Sequence, residues 1–385
     1  MRPCPIHFFL IVFFSSILRF ADAQENYFVG FTDSLTFDES SVYEEYGWSG
    51  STPIFLQIWF PLEEKPNSIS LEFGDFRSLD LPKKLEKVKK RLDEESDRSF
   101  ILYNVQEDFP EYNPIDYGEY SNEDVLAAIK KIKTKSYRSQ ELPKGKYPVI
   151  LYHHGTLGCA EENFLMAEYF ASRGYIFISA NYHLPFDNQG FGIEETSSFE
   201  LNRIKAVNQL AKQIAESQKL FYIGHSWGAQ MGWTYLYEDG WADGFISLET
   251  TIEWKEPKDI KEMWPKVYEV IKEDKQKFTI PTLMIANTQK DEPFSFFLKT
   301  NKTDLLFVSA KGGFGHESYT SAFHLRSFLS DQFPQPDSDM MRGQMYLYHL
   351  HLELMEAWIS AHNNEIPFKT DPFIDHFYLN RAKRK

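Results

Sequence analysis

Residues 221 to 230 read FYIGHSWGAQ: an apolar run ends in glycine, histidine, serine, tryptophan and a second glycine, and a helix-forming stretch follows. Gly224 and Gly228 flank Ser226 where a strand must turn sharply into a helix. Glycines remove side chains that the turn has no room for, and the serine is pushed outward with its hydroxyl above the strand ends. A helix that starts beneath it aims its partial positive end at any oxyanion formed there. The five-letter pattern G-x-S-x-G is weak alone; the strand before it and the helix after it give it weight.

A serine hydroxyl attacks only when a base takes its proton. AKGGFGHESYTSAF follows the last strand pattern, and its His316 lies in a glycine-rich bend able to return over Ser226. His324, His349, His351, His362 and His376 fall in helical or tail segments, where packing or surface roles account for them. The acid that orients the imidazole stays open. Glu249 ends the strand after the nucleophile helix, in FISLETT, and Asp291 follows the next strand, in IANTQKDEP, with spacing leaning slightly to Asp291.

These residues need a scaffold, and from residue 146 onward the chain alternates short apolar runs with helical patterns. YPVILYHHG, YIFISANY, KLFYIGHS, ADGFISLET, PTLMIAN and DLLFVSA read as buried strands. AEENFLMAEYFASRG, residues 199–216 and WGAQMGWTYLYED read as helices between them, the first stopped by Gly174. The alternation predicts an α/β fold: a mostly parallel sheet covered by helices on both faces. Ahead of it, TPIFLQIWFP is strand-like, while residues 24–50 are acidic and aromatic without clear periodicity. Residues 62–145 form an irregular insertion with a charged helix at 81–95 and an amphipathic one at 122–135. Residues 251–280 exceed a plain crossover and are expected to form a partial cap.

Of 385 residues, 42% are hydrophobic, enough for a sizeable core, and 34 Phe, 21 Tyr and 8 Trp supply bulk for it. A formal charge of −15 argues against a nucleic-acid partner. MRPCPIHFFLIVFFSSILRFADAQ has a basic start, an apolar core too short to span a bilayer, and a small-x-small site at Ala21–Ala23. Residues 1–23 are therefore expected to be a cleaved signal peptide, leaving one domain at 24–385, secreted or periplasmic and peripheral to a membrane at most. Cys4 leaves with the leader, so Cys159 is alone and forms no intramolecular disulfide. Asn301 begins an Asn-Lys-Thr sequon. His153 and His154, adjacent at a strand end, point to opposite faces and do not chelate one metal together, and His349 and His351 are poorly spaced on a helix. His154 is expected to brace the loop after it and His153 to pack beneath; no metal and no cofactor are expected.

The stretch YPVILYHHGTLGCAEENFLMAEYFASRGYIFISANY, with GHSWGAQ and the early strand IFLQIWFPLEE, resembles α/β-hydrolases of the platelet-activating-factor acetylhydrolase and dienelactone hydrolase type. The resemblance covers about half the chain. It implies the α/β-hydrolase fold, with Ser226 as nucleophile and His316 as base. It places the acid at the end of the strand after the nucleophile, which favours Glu249 over Asp291, with Glu in place of the family's Asp. The backbone N–H groups of Thr156 and Trp227 would form the oxyanion hole. The activity implied is that of a serine esterase cleaving small-molecule or lipid esters with short acyl groups through an acyl-enzyme. A serine peptidase or amidase on the same fold, and a non-catalytic binding protein that keeps the fold, are the other two classes.

Overall fold

The structure, a computed structural model, describes residues 25–381 apart from 102–119, 188–189, 192, 239, 251, 253–254, 273–277, 287–304, 313, 330–331 and 334–337. The leader at 1–23, Asp291 and Asn301 lie outside the described residues.

Strands β1 (Phe28–Tyr43) and β2 (Gly50–Leu62) pair antiparallel from Phe28 with Leu62 to Tyr43 with Gly50. The first is a strand that the pattern of residues 24–50 does not announce. Asp33, Ser34, Asp38 and Glu39 interrupt its alternation, and the buried neighbour β2 is what holds it extended. The insertion then folds as α1 (Glu86–Ser99), α2 (Asn122–Lys130) and β3 (Ser136–Arg138), the last parallel to β1. Helix α1 begins later than its charge pattern suggests, because Pro82 leads into a 3-10 turn at Lys83–Leu85. Helix α2 starts at a reciprocal cap, in which Ser121 accepts from the Asp124 N–H and the Asp124 carboxylate accepts from the Ser121 N–H.

The alternating half follows as β4 (Val149–His153), α3 (Phe164–Ala171), β5 (Ile176–Ala180), a short ribbon of β6 (Pro185–Phe186) and β7 (Gly190–Phe191), α4 (Ile193–Ala215), β8 (Leu220–His225), α5 (Trp227–Glu238) and β9 (Gly244–Leu248). Then come α6 (Pro257–Met263), α7 (Pro265–Lys272), β10 (Thr282–Ile285), β11 (Leu305–Ala310), α8 (Ala322–Leu329), α9 (Ser338–Asn363) and β12 (Phe377–Arg381). Among the described residues the main sheet has ten strands, in the order β12-β11-β10-β9-β8-β4-β5-β2-β1-β3. Strands β11, β10, β9, β8, β4 and β5 run parallel, as the alternation requires.

Each central strand is buried on both faces, which is why it reads as a continuous apolar run. Ile150, Tyr152, Phe221, Ile223, Ile246 and Leu248 enter one core cluster, and their alternates Val149, Leu151, Leu220, Tyr222 and Phe245 enter the other. Helices α3 and α9 cover the first face and α4 and α5 the second. Where residues 251–280 are described, Ile252, Ile260, Val267 and Phe278 pack beside α5, with Phe278 stacked on Tyr237 at 4.5 Å. Among the described residues, no helix is long and apolar enough to cross a membrane.

The chain leaves β4 for β5 on one side and later returns to β8 on the other. This reversal of strand order opens a crevice at the carboxyl ends of β4 and β8, where open α/β sheets bind ligands.

Candidate active site

Ser226 occupies the turn between β8 and α5 with a φ of 49°, in the left-handed region. For a residue other than glycine that conformation costs roughly 1–2 kcal/mol. It is held by its N–H donating to the Leu248 carbonyl at 2.8 Å and by its own carbonyl accepting from Ala229 at 3.1 Å. The glycines on either side are demanded by backbone, not by side chains. A Cβ at Gly224 would stand 2.6 Å from the Ala229 backbone, and one at Gly228 would stand 2.2 Å from the His153 carbonyl oxygen.

Among the described residues five others that are not glycine have a positive φ, Tyr46, Glu216 and Glu365 elsewhere and two beside this turn. Leu157, in the loop after β4, has φ 58°, and Glu249, directly after β9, has φ 47°. Since β4, β8 and β9 are neighbours, the three strained residues stand side by side along the carboxyl edge of the sheet. Such conformations persist where the surroundings over-determine them, and they gather at functional sites.

A cavity of about 200 Å³ opens over this edge, and Ser226, His316 and Thr156 all line it. His316 begins a 3-10 turn, His316–Tyr319, and its side chain is 44% exposed. Desolvation, and then the adjacent His225, lower its imidazole below the ordinary histidine value while Glu162 raises it, and the ring is neutral at neutral pH. Glu249 is 5% exposed, and its N–H donates to the Ile285 carbonyl at 2.7 Å. Burial, and then the Glu249 carboxylate, raise the Tyr319 hydroxyl, while the charged groups that act on His316 itself are His225 and Glu162. The rival acid Asp291 lies outside the described residues.

Trp227 is the first residue of α5, so its N–H has no partner within the helix. Its indole N–H donates to both carboxylate oxygens of buried Glu200, at 3.0 and 2.9 Å. That carboxylate also lies 2.8 Å from His153 Nε2. Burial alone would raise Glu200, but His153 and its other partners bring it down to about 2. The bulk facing the cavity beside the serine thus comes from Phe100, at the end of α1, and from Leu157. Phe100 is a residue that sequence reasoning left inside an irregular insertion. Its neighbour Ser99 donates its hydroxyl to the carbonyl of strained Leu157.

The two adjacent histidines have separate partners. His153 Nδ1 meets the Tyr222 hydroxyl at 2.7 Å. His154 Nε2 accepts from the Tyr182 N–H at 3.1 Å, which leaves Nδ1–H to donate to the Gly155 carbonyl at 2.9 Å. His154 therefore braces the loop that carries Thr156.

Two further titratable groups in the cavity wall escaped sequence reasoning. His225 precedes Ser226, and Glu162 stands just ahead of α3; both line the cavity. The first stands at an unspecified position of G-x-S-x-G, so the pattern gives it no role. The second lies in a polar run, Glu161-Glu162-Asn163, placed directly before an apolar helix, and that placement was the available signal.

Neither a protein-family model nor a curated protein sequence matches the chain. Among solved structures, a ferulic acid esterase from Streptomyces cinnamoneus superposes with a TM-score of 0.51 at 15% identity, over 92% of this chain and 96% of that one. Est1E from Butyrivibrio proteoclasticus aligns over 52% of this chain and 90% of its own, at 18% identity and a TM-score of 0.33. An epoxide hydrolase from potato aligns over 31% of this chain and 40% of its own, at 21% identity and a TM-score of 0.24. With its mostly parallel sheet, helices on both faces and the near full-length superposition on the first of these, the chain has the α/β-hydrolase fold.

Proposed function

We propose that the protein is a serine hydrolase that cleaves carboxylic esters. Ser226 attacks the carbonyl carbon, and His316 takes the hydroxyl proton and passes it to the leaving alkoxide. Glu249 orients the imidazole, with Asp291 as the alternative acid. The backbone N–H groups of Thr156 and Trp227 hold the oxyanion of the tetrahedral intermediate, each worth about 3 kcal/mol in the transition state. Water, deprotonated by His316, then releases the acid from the acyl-enzyme and restores the serine.

One observation carries this reading: a serine held at φ 49° on a strand-to-helix turn, facing a cavity that it shares with a neutral imidazole from a distant loop. The fold in common with a ferulic acid esterase agrees with ester chemistry, though fold alone does not fix function. Closer kinship to the acetylhydrolase and dienelactone hydrolase type, a short acyl group, a small-molecule or lipid alcohol part, and export by the leader at 1–23 belong to the same proposal. A cavity of about 200 Å³ walled by Phe100 and Leu157 supports the short acyl group.

Incubation with a fluorophosphonate probe should label Ser226 in the folded protein. Turnover of p-nitrophenyl esters should fall with acyl length and recover for longer chains in Phe100→Ala. A folded protein that neither labels at Ser226 nor turns over any ester would remove the hydrolase assignment. Preference for aminoacyl anilides over esters would replace it with a peptidase.

A further inference from the structure

The cavity wall contains a histidine–carboxylate pair, His225 and Glu162, outside the proposed triad. His225 is 1% exposed. Its Nε2–H donates to the backbone carbonyl of His316 at 3.1 Å, and its Nδ1 lies 3.8 Å from Glu162 Oε1. The same carboxylate oxygen accepts from the Tyr152 hydroxyl at 2.7 Å and from the Gly155 N–H at 3.4 Å. One carboxylate thus touches the loop that bears Thr156 and, through His225, the loop that bears His316. The far end of the base loop is gripped from the same segment. Ser321 N–H donates to the Glu162 carbonyl at 3.1 Å, and the Asn163 side-chain amide donates to the Tyr319 carbonyl at 2.9 Å. Asn163 is in turn fixed by the Tyr348 hydroxyl of α9 at 2.6 Å. Gly158 makes room for this arrangement, since a Cβ there would stand 2.2 Å from Glu162 Oε2.

We propose that Glu162 and His225 are a positioning pair that fastens the base loop, residues 316–321, to the oxyanion loop, residues 155–158. The inference rests on the esterase reading for its kinetic consequences and on geometry alone for the fastening. His225 is not a rival base, because its Nε2 is committed to a carbonyl and its Nδ1 faces a carboxylate.

Charge supports the geometry. His225 faces Glu162 from the segment before α3 and His316 and Glu317 from the 3-10 turn, with the Tyr319 ring 6.4 Å away. Burial would lower its pKa, but Glu162 and then Glu317 raise it overall. Glu162 faces Tyr152, His153 and His154 from β4 and the turn after it, Cys159, His225, His316 from the 3-10 turn, and Tyr348 from α9. Burial would raise the carboxyl, but His225 and the Tyr152 hydroxyl hold it below its ordinary value. His225 is thus biased toward its protonated form and Glu162 toward its carboxylate. When His225 loses its proton, its Nδ1 lone pair meets the carboxylate and the tie weakens.

The test uses the full chain with Glu162→Gln, His225→Gln and the double substitution. Hydrogen–deuterium exchange of peptides spanning 155–158 and 316–321 should accelerate together in each single variant. With p-nitrophenyl acetate, kcat should fall by up to about 10²-fold at nearly constant KM, and the double variant should lose no more than the worse single one. The alkaline limb of the wild-type kcat profile should be absent in both. Unchanged exchange in either loop, additive losses, or pH profiles that superpose on wild type would overturn the pair. If the variants do not fold, the wild-type protein still decides: His225 should titrate above 6.5 by NMR, with exchange at 316–321 rising through the same transition, and titration at or below that value overturns the proposal. A wild-type protein without turnover or Ser226 labelling defeats the esterase reading and leaves exchange to judge the fastening.

Discussion

The N–H of Ser226 donates to the carbonyl of Leu248 at 2.8 Å, so the strained residue after β8 is stitched to the strand whose next residue, Glu249, is strained as well. One backbone hydrogen bond thus ties the strained residue after β8 to the end of β9. The sheet, not the turn alone, holds the serine out. Its conformation is therefore a cost to stability that a change at the serine can relieve.

Ser226→Gly should raise stability by about 0.5–1 kcal/mol, because glycine enters the left-handed region without steric penalty. It should also abolish fluorophosphonate labelling. Urea unfolding of wild type, Ser226→Gly and Ser226→Ala measures this; a glycine variant no more stable than the alanine one would show that the φ of 49° stores no strain.

The two candidate acids are separated by single isosteric changes. Glu249→Gln or Asp291→Asn should reduce kcat on the order of 10⁴-fold for the true partner of His316, while the other leaves kcat nearly intact. Steady-state kinetics on one ester decides between them, and two small effects would mean that neither carboxylate orients the imidazole.

The Glu162–His225 pair gives stability a defined pH window. Glu162 titrates in the folded chain below its ordinary 4.5, so its contribution is present above that pH and lost as pH falls through the lowered value. His225 titrates above its ordinary 6.5, so its contribution is complete below 6.5 and lost as pH rises through the raised value. The gap in unfolding free energy between wild type and His225→Gln should therefore be widest between 4.5 and 6.5 and narrow on both sides. Urea midpoints across the pH range test the shape, and a gap that is flat with pH contradicts it.

Glycines that look alike in the sequence should behave oppositely. Gly228→Ala puts a methyl 2.2 Å from the His153 carbonyl oxygen, a backbone atom that cannot yield, and should cost roughly 3 kcal/mol. Gly343→Ala, within α9, meets nothing within 4 Å and should stabilise by about 1 kcal/mol through helix propensity. Thermal unfolding of the two variants reads the contrast directly.

Sequence by itself determined the six parallel strands, the helices between them and the glycine–serine–glycine turn. A strand buried on both faces must be apolar along its length, and a tight turn must lack side chains, so both requirements are written locally. Its reading of β1 failed because the polar residues on that strand carry no alternation, and only pairing with β2 makes it extended. Tertiary structure alone decided what surrounds the serine. It brought Phe100 and Ser99 out of an apparently irregular insertion to the cavity, and it turned the indole of Trp227 toward Glu200. It also joined Glu162 to His225 beneath the base loop. These contacts link residues distant in the chain, and their strength comes from burial, where a charge needs a partner that no local pattern specifies.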